Sequence, residues 1–178
     1  ILIVGAGTVG HSLREAYGAA FPDARFTVWN RSPERAEALA AAYPATEAVA
    51  ELERAVGAAD VITCATMSHE PVVLGDWLRP GQHLDLIGAF RPDMRETDDA
   101  ALRRGRIFVD SFDTTVDHIG EIKTPLAEGV IARDALVADF YDLDRFTRTP
   151  DDITVFKNGG GAHLDLMTCR YVMGRVLA

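Results

Sequence analysis

The sequence has little of what marks several large protein classes. Its two cysteines, Cys64 and Cys169, make neither a disulfide framework nor a metal-ligand cluster. Both lie in apolar contexts and are expected to be buried thiols. No apolar run approaches the roughly 20 residues of a membrane span. No charged segment leads into an apolar one at the start, as a secretory signal would. Positive charge is scarce: 18 basic against 27 acidic residues leave a formal net charge of −9. An acidic surface repels nucleic-acid phosphates and anionic lipid, so neither nucleic acid nor membrane is an expected partner. Internal repeats, low-complexity segments, a Ser/His/Asp triad, a Cys/His pair, an H-E-x-x-H motif and paired carboxylates of glycosidase type are also missing. The expectation is a soluble, cytoplasmic protein of a reducing compartment with no metal site.

What is present is a core and a glycine motif. At 178 residues and 48% hydrophobic, the chain can bury one substantial core. It opens on the apolar run Ile1-Leu2-Ile3-Val4, then Gly5-Ala6-Gly7-Thr8-Val9-Gly10, then helix-compatible residues from His11 to Ala20. A β-branched strand, a G-x-G-x-x-G turn and a helix N-terminus in that order form the site where a dinucleotide pyrophosphate binds. Gly5 permits the tight turn, Gly7 lets backbone approach the phosphates, and Gly10 lets the helix pack close to the strand. Gly5, Ala6, Gly7, Thr8 and Val9 are the expected pyrophosphate ligands.

The end of the second strand bears on which dinucleotide. Arg25 to Trp29 reads as that strand, and Asn30, Arg31, Ser32 and Arg35 follow it. An Asp or Glu here would accept hydrogen bonds from the adenosine ribose and repel a 2′-phosphate. It is absent; an amide, a hydroxyl and two guanidinium groups stand in its place. NADP(H) is preferred over NAD(H), with Asn30, Arg31, Ser32 and Arg35 at the 2′-phosphate. The alternative for the two arginines is a pair of solvated helix-start charges. Ser32 is also placed to cap the helix that Pro33 opens, so it serves the helix, the phosphate, or both.

Strand and helix alternate on to Val109, which implies a doubly wound parallel sheet with right-handed crossovers, an α/β fold of Rossmann type. Ligands in such sheets bind outside the carboxyl ends of the strands. That places Thr66, Met67, Ser68 and His69, after the fourth strand, and Ile87, after the fifth, beside the cofactor. From Ser111 to Pro150 the pattern weakens into short helical pieces near Thr114–His118, Pro125–Glu128 and Ala135–Phe140. Asp134, Asp139, Asp142 and Asp144 read there as a solvated acidic face. Asp151 to Lys157 returns to a strand, and an amphipathic helix is expected from Ala162 to Leu177. The glycines before it, in Asn158-Gly159-Gly160-Gly161, suit either a second anion-binding helix start or a hinge.

Several segments together resemble the ornithine cyclodeaminase/μ-crystallin family. They are Gly5-Ala6-Gly7-Thr8, Val28-Trp29-Asn30-Arg31-Ser32, Ala59-Asp60-Val61-Ile62 with Glu70-Pro71, Trp77-x-x-Pro80-Gly81, Gly88-Ala89-x-Arg91-Pro92-Asp93-x-Arg95-Glu96, Val109-Asp110-Ser111, and Thr154-Val155-Phe156-Lys157 with Asp165. The resemblance implies a nicotinamide-binding domain over residues 1–150, with 151–178 the strand and returning helix of a dimerisation lobe. The rest of that lobe would precede Ile1 in a longer, homodimeric polypeptide and carry most substrate-carboxylate ligands. The lyases of the family place an Asp and a Lys where this chain has Phe90 and Met94. A phenyl ring cannot accept a proton, so the resemblance leans to the reductases of cyclic imino acids, with ornithine cyclodeamination or non-catalytic NADP-dependent binding as the alternatives. It implies a small imino- or amino-acid substrate, with Phe90, Asn158 and Gly159 as this chain's share of the pocket. Gly159, where the family is similar in having an apolar residue, is expected to enlarge or loosen the pocket floor. No residue is identified as the proton donor.

Overall fold

The computed structural model describes residues 1–177. Its strands are β1 (Leu2–Val4), β2 (Phe26–Trp29), β3 (Thr46–Ala48), β4 (Val61–Cys64), β5 (His83–Leu86), β6 (Gly105–Val109), β7 (Leu136–Ala138) and β8 (Ile153–Lys157). Every pairing is parallel, in the order β3-β2-β1-β4-β5-β8-β6-β7. The α-helices among the described residues are α1 (Thr8–Ala20), α2 (Pro33–Ala42), α3 (Leu52–Ala58), α4 (Asp99–Arg104), α5 (Gly120–Ala127) and α6 (Ala162–Val176). The chain winds outward from β1 through β2 to β3, then crosses back to place β4 on the other side of β1. That reversal is the switch point of a Rossmann-type sheet, and the glycine turn lies at its carboxyl end. No helix among the described residues is long and apolar enough to cross a membrane.

Side-chain alternation along the strands divides the core into two layers. Leu2 and Val4 join Ile62, Cys64, Leu84, Leu86, Ile107, Val109 and Val155 against α3, α4 and α5. Ile3 faces the other way, with Phe26, Val28, Ala36 and Leu39. On that second face polar anchors hold α1. The buried Arg14 donates to Thr46 Oγ1 (2.8 Å) and the Pro44 carbonyl (2.6 Å), and stacks 3.9 Å over the Phe26 ring. Tyr17 and Thr63 both donate to Asp85 Oδ2, at 2.9 and 3.0 Å. Burial raises both the Asp85 carboxyl and the Tyr17 phenol above their ordinary values, the hydrogen bonds opposing it at Asp85.

The second half departs from expectation in five places. Ala135–Phe140, expected to be helical, contains β7, because Leu136 and Ala138 alternate inward and pair with β6. Asp139 is buried, not solvated; it accepts from the amides of Phe112 and Tyr141, each at 3.0 Å. The boundary expected at residue 150 does not part strand from sheet, since β8 is inserted between β5 and β6. α6 has no buried residue, so it shows no core-facing stripe, and Cys169 on it is exposed. Cys64 is buried as expected.

The glycine turn yields a two-part test. A Cβ on Gly10 would lie 2.2 Å from the Gly5 carbonyl oxygen, whereas one on Gly7 would meet nothing within 4 Å. Gly10→Ala must separate helix from turn, an overpacking cost of about 1–3 kcal/mol, so Tm should fall by about 3–10 °C. Gly7→Ala should leave Tm unchanged and weaken dinucleotide binding alone. Equal melting losses in a thermal scan of the two variants would refute this division of roles.

Candidate functional site

The loops at the carboxyl ends of β1, β2, β4, β5, β6 and β8 form the site. Gly5 turns the chain at φ +111°, in the left-handed region that L side chains rarely adopt, and a Cβ there would sit 2.6 Å from the Ala65 carbonyl oxygen. α1 then begins at Gly7 without a side-chain cap or a first-turn acid. Its first amide N–H groups are thus left without an acceptor from a capping side chain, and such a helix start can receive an anion. Gly7, Thr8 and Val9 are exposed on this edge, while Ala6 is buried and forms the floor of the turn.

Asn30 does something other than wait for a phosphate. Its Oδ1 accepts from the Ala6 amide at 3.1 Å and its Nδ2 donates to the Ser32 carbonyl at 3.0 Å. Both ends of the amide are engaged, so Asn30 clamps the glycine turn to the β2–α2 turn. A carboxylate could keep only the first of those bonds. Ser32 occupies the cap position of α2, but its hydroxyl makes no capping bond. Among the described residues, Arg31 and Arg35 are exposed and enter no ion pair. The free groups at this turn are thus two guanidinium groups and a hydroxyl.

The β4 and β5 loops are joined underneath by Glu96. Its Oε1 accepts from the Thr66 amide (2.7 Å) and the Thr66 hydroxyl (2.9 Å), and its Oε2 from the amides of Gly88 (2.7 Å) and Ala89 (3.1 Å). Thr66 is therefore held from below. A Cβ on Gly88 would lie 2.0 Å from the Thr66 carbonyl oxygen, so only glycine lets the loops cross so closely. Ser68 closes a local turn with Glu70, its hydroxyl donating to the Glu70 carbonyl at 2.7 Å. His69, exposed, meets the Asp93 carbonyl at 2.9 Å and so ties the two loops together again. Met67 and Phe90 are exposed on the open side, and Ile87 is half-buried at the end of β5. Met94 is buried against Ala89 and Ile119.

Beneath this platform lies a charged layer that sequence reading missed. Glu121, wholly buried, accepts from the amides of Glu96 (2.6 Å) and Thr97 (3.1 Å). Lys157, also wholly buried, donates to the Leu86 carbonyl at 2.9 Å. Burial lowers the Lys157 ammonium, which Glu96, Glu121, Asp85 and Asp110 oppose. Burial raises the Glu96 carboxyl, with Lys157 and the loop donors working against it. Glu96 and Lys157 stand in segments that carry the family resemblance, but neither those segments nor any period announces that the two are buried together with Glu121.

At the far end of the site, Asn158 turns inward on itself, its Oδ1 accepting from the Gly160 amide at 2.9 Å. Gly159 does not enlarge the floor. The place its Cβ would take is filled by Thr115 Oγ1, 2.1 Å away. A Cβ on Gly161 would likewise lie 2.8 Å from His163 Nδ1, whereas Gly160 has open space around it and turns the chain at φ +72°. A cavity of about 770 Å³ lies elsewhere, lined by Ile1, Arg25, Glu51 and Asp60. The glycine turn is not among its walls, and ligands of such sheets bind at the carboxyl ends of the strands.

The sequence profile of the ornithine cyclodeaminase/mu-crystallin family matches residues 1–178. The Delta(1)-pyrroline-2-carboxylate reductase of Paracoccus denitrificans is 51% identical over 187 residues, covering 100% of this chain and 59% of the relative. The Delta(1)-pyrroline-2-carboxylate reductase of Thermococcus litoralis, solved in complex with NADH and L-proline, superposes with a TM-score of 0.82 at 26% identity, over 89% of this chain and 52% of that one. An archaeal alanine dehydrogenase dimer with bound NAD gives 0.88 at 25% identity, over 98% and 56%. The chain spans between half and three fifths of the length of these proteins.

Glu121 makes the buried layer testable by pH. Burial pushes its carboxyl up to about 7, although the Glu96 amide and Lys157 work against it. The unfolded chain releases this proton near 4.5 and the folded chain near 7. Between those values the folded state holds the extra proton, so stability falls as pH rises, by about 3 kcal/mol for this one group. Denaturant titrations across that window should show the decline, and Glu121→Gln should make it shallower by this group's share. A variant with the wild-type slope would refute the assignment.

Proposed function

The chain belongs to the ornithine cyclodeaminase/mu-crystallin family, and from that premise we propose that it is the dinucleotide-binding part of a cyclic imino acid reductase. The reaction is NADPH-dependent reduction of Δ1-pyrroline-2-carboxylate, or of its six-membered homologue Δ1-piperideine-2-carboxylate, to the L-amino acid. One observation carries the choice of reduction over deamination. On the substrate side of β5 the chain has Phe90, an apolar ring, and beneath it Met94 within an apolar cluster. Neither can take a proton from an ornithine amine. The identity to the Paracoccus denitrificans reductase supports the same reading.

When bound, the dinucleotide supplies the hydride. This chain's residues hold and orient it. The uncapped start of α1 and the backbone of Gly5 to Val9 take the pyrophosphate. Arg31, Ser32 and Arg35 take the 2′-phosphate, and Asn30 fixes the turn that presents them. Thr66, Met67, Ser68, His69 and Ile87 shape the nicotinamide side, Thr66 through the Glu96 clamp. Phe90, Asn158 and Gly159 border the substrate. The full-length protein works as a cytoplasmic homodimer. α6 docks by Leu166, Met167, Tyr171, Val172 and Met173, all exposed here, on the lobe that completes the pocket.

Full-length protein given Δ1-pyrroline-2-carboxylate and NADPH should consume the reduced nicotinamide absorbance, and ornithine with NAD+ should yield no ammonia. Ammonia from ornithine would establish the lyase, and silence in both assays a binding role. Arg31→Asp should raise the Kd for NADPH tenfold or more, about 1.4 kcal/mol, with NADH little affected. Equal losses for the two dinucleotides would remove the 2′-phosphate assignment.

A further inference from the structure

Reduction of an imine needs a proton as well as a hydride, and the groups around β4 and β5 are committed elsewhere. Thr66 is bonded to Glu96, Ser68 to its own turn, and His69 to the Asp93 loop. Glu96, Glu121 and Lys157 lie buried beneath the loops. One acid–base pair at the carboxyl edge keeps polar atoms that have no partner among the described residues. Asp110, directly after β6, is fully buried. Its Oδ1 accepts from the Thr115 hydroxyl (2.5 Å) and the Ser111 amide (2.9 Å). Its Oδ2 has no hydrogen-bond partner, and neither has the Nε2 of His163, which lies 3.6 Å from it. His163 stands in the first turn of α6, its side chain 17% exposed, beside the rings of Phe140 and Tyr141.

Three features make this a built arrangement. A Cβ on Gly159 would displace Thr115, the group that orients the Asp110 carboxylate, and one on Gly161 would strike the His163 ring. Two of the three consecutive glycines thus leave room for the side chains of this pair where they now stand. Position is the second feature. The ladder continues past the strand ends, Asn158 donating to the Leu86 carbonyl (3.1 Å) and Asp110 to the Lys157 carbonyl (3.1 Å). Asp110 thus lies two strands from Ile87 along the ligand edge, about 10 Å away. The third is chemistry. A carboxylate held behind one imidazole nitrogen sets the tautomer and supports charge on the ring, and such contacts are often long before the ligand arrives.

We propose that His163, positioned by Asp110, is the group that protonates the imine nitrogen of the substrate. This rests on the reductase reading above. As the imine carbon gains hydride, the C=N π pair passes to nitrogen, which forms its N–H bond with the proton leaving His163 Nδ1. Nε2 keeps its proton toward Asp110, and the neutral ring regains the lost one from water. His163 is the catalytic residue; Asp110, behind it, is a positioning residue.

The test uses full-length protein, His163→Phe, which keeps a ring beside Phe140 and Tyr141, and Asp110→Asn, which keeps the imidazole. With Δ1-pyrroline-2-carboxylate, His163→Phe should lose about 10²- to 10⁴-fold in kcat, and Asp110→Asn about tenfold to a hundredfold. The N-methyl iminium analogue needs no proton, so on it both variants should match the wild type. In a binding experiment with NADP+ present, wild type should hold pyrrole-2-carboxylate about fivefold tighter than furan-2-carboxylate through one hydrogen bond to the imidazole. His163→Phe should erase that preference. Equal losses on imine and N-methyl iminium, or no loss on either, would overturn the proposal while leaving the reductase reading intact. A wild type that reduces no cyclic imine would overturn both.

Discussion

The site depends on one buried carboxylate. Glu96 closes four hydrogen bonds to the two loops at the ends of β4 and β5, which also meet through an isolated bridge between Val73 and Thr97. Its backbone is used as fully as its side chain, for its carbonyl accepts from Val72 and Val73 and its amide donates to Glu121. A loop edge facing a ligand cannot be ordered by hydrophobic burial, because its ligand side must stay open. A buried anion that collects amide N–H groups from below can order it. Gly88 is the steric corollary: loops drawn together this tightly leave no volume for a Cβ.

Such an anion is costly to bury, which explains the rest of the layer. Lys157 is buried with Glu96 and Glu121 and offsets their charge, and its strand position keeps it on the central, inflexible part of the sheet. Breaking one member of such a network strands the others, at about 3–5 kcal/mol for a lost partner. The late insertion of β8 between β5 and β6 thereby serves the site twice. It delivers Lys157 beneath the loops, and its continuation, Asn158 to Gly161, lays bare backbone over Asp110 and Thr115.

Parts of the site with a local signature were legible beforehand. The glycine turn and the parallel alternation from β1 to β6 lie within short windows of chain. What failed was long-range or atom-level. Asn30 was read by its type as a phosphate ligand, and the structure gives its amide to the two turns. Gly159 was read as a missing wall, because nothing in its neighbourhood announces that Thr115 fills the volume. β7 was read as helix, since three residues carry too little period to outweigh alanine's helix propensity, and only pairing with β6 decides the matter.

By itself, then, the sequence determined the parallel sheet, its winding and the edge that carries the glycine turn, because strand periodicity and glycine sterics act over a few residues. Only the tertiary structure decided how that edge is held and armed. Glu96 meets Thr66 across 30 residues, Glu121 meets Glu96 across 25, and Asp110 faces His163 from a different strand and helix. Hydrogen bonds and charge pairs of that reach depend on distances of a few ångström set by packing, which no spacing along the chain encodes.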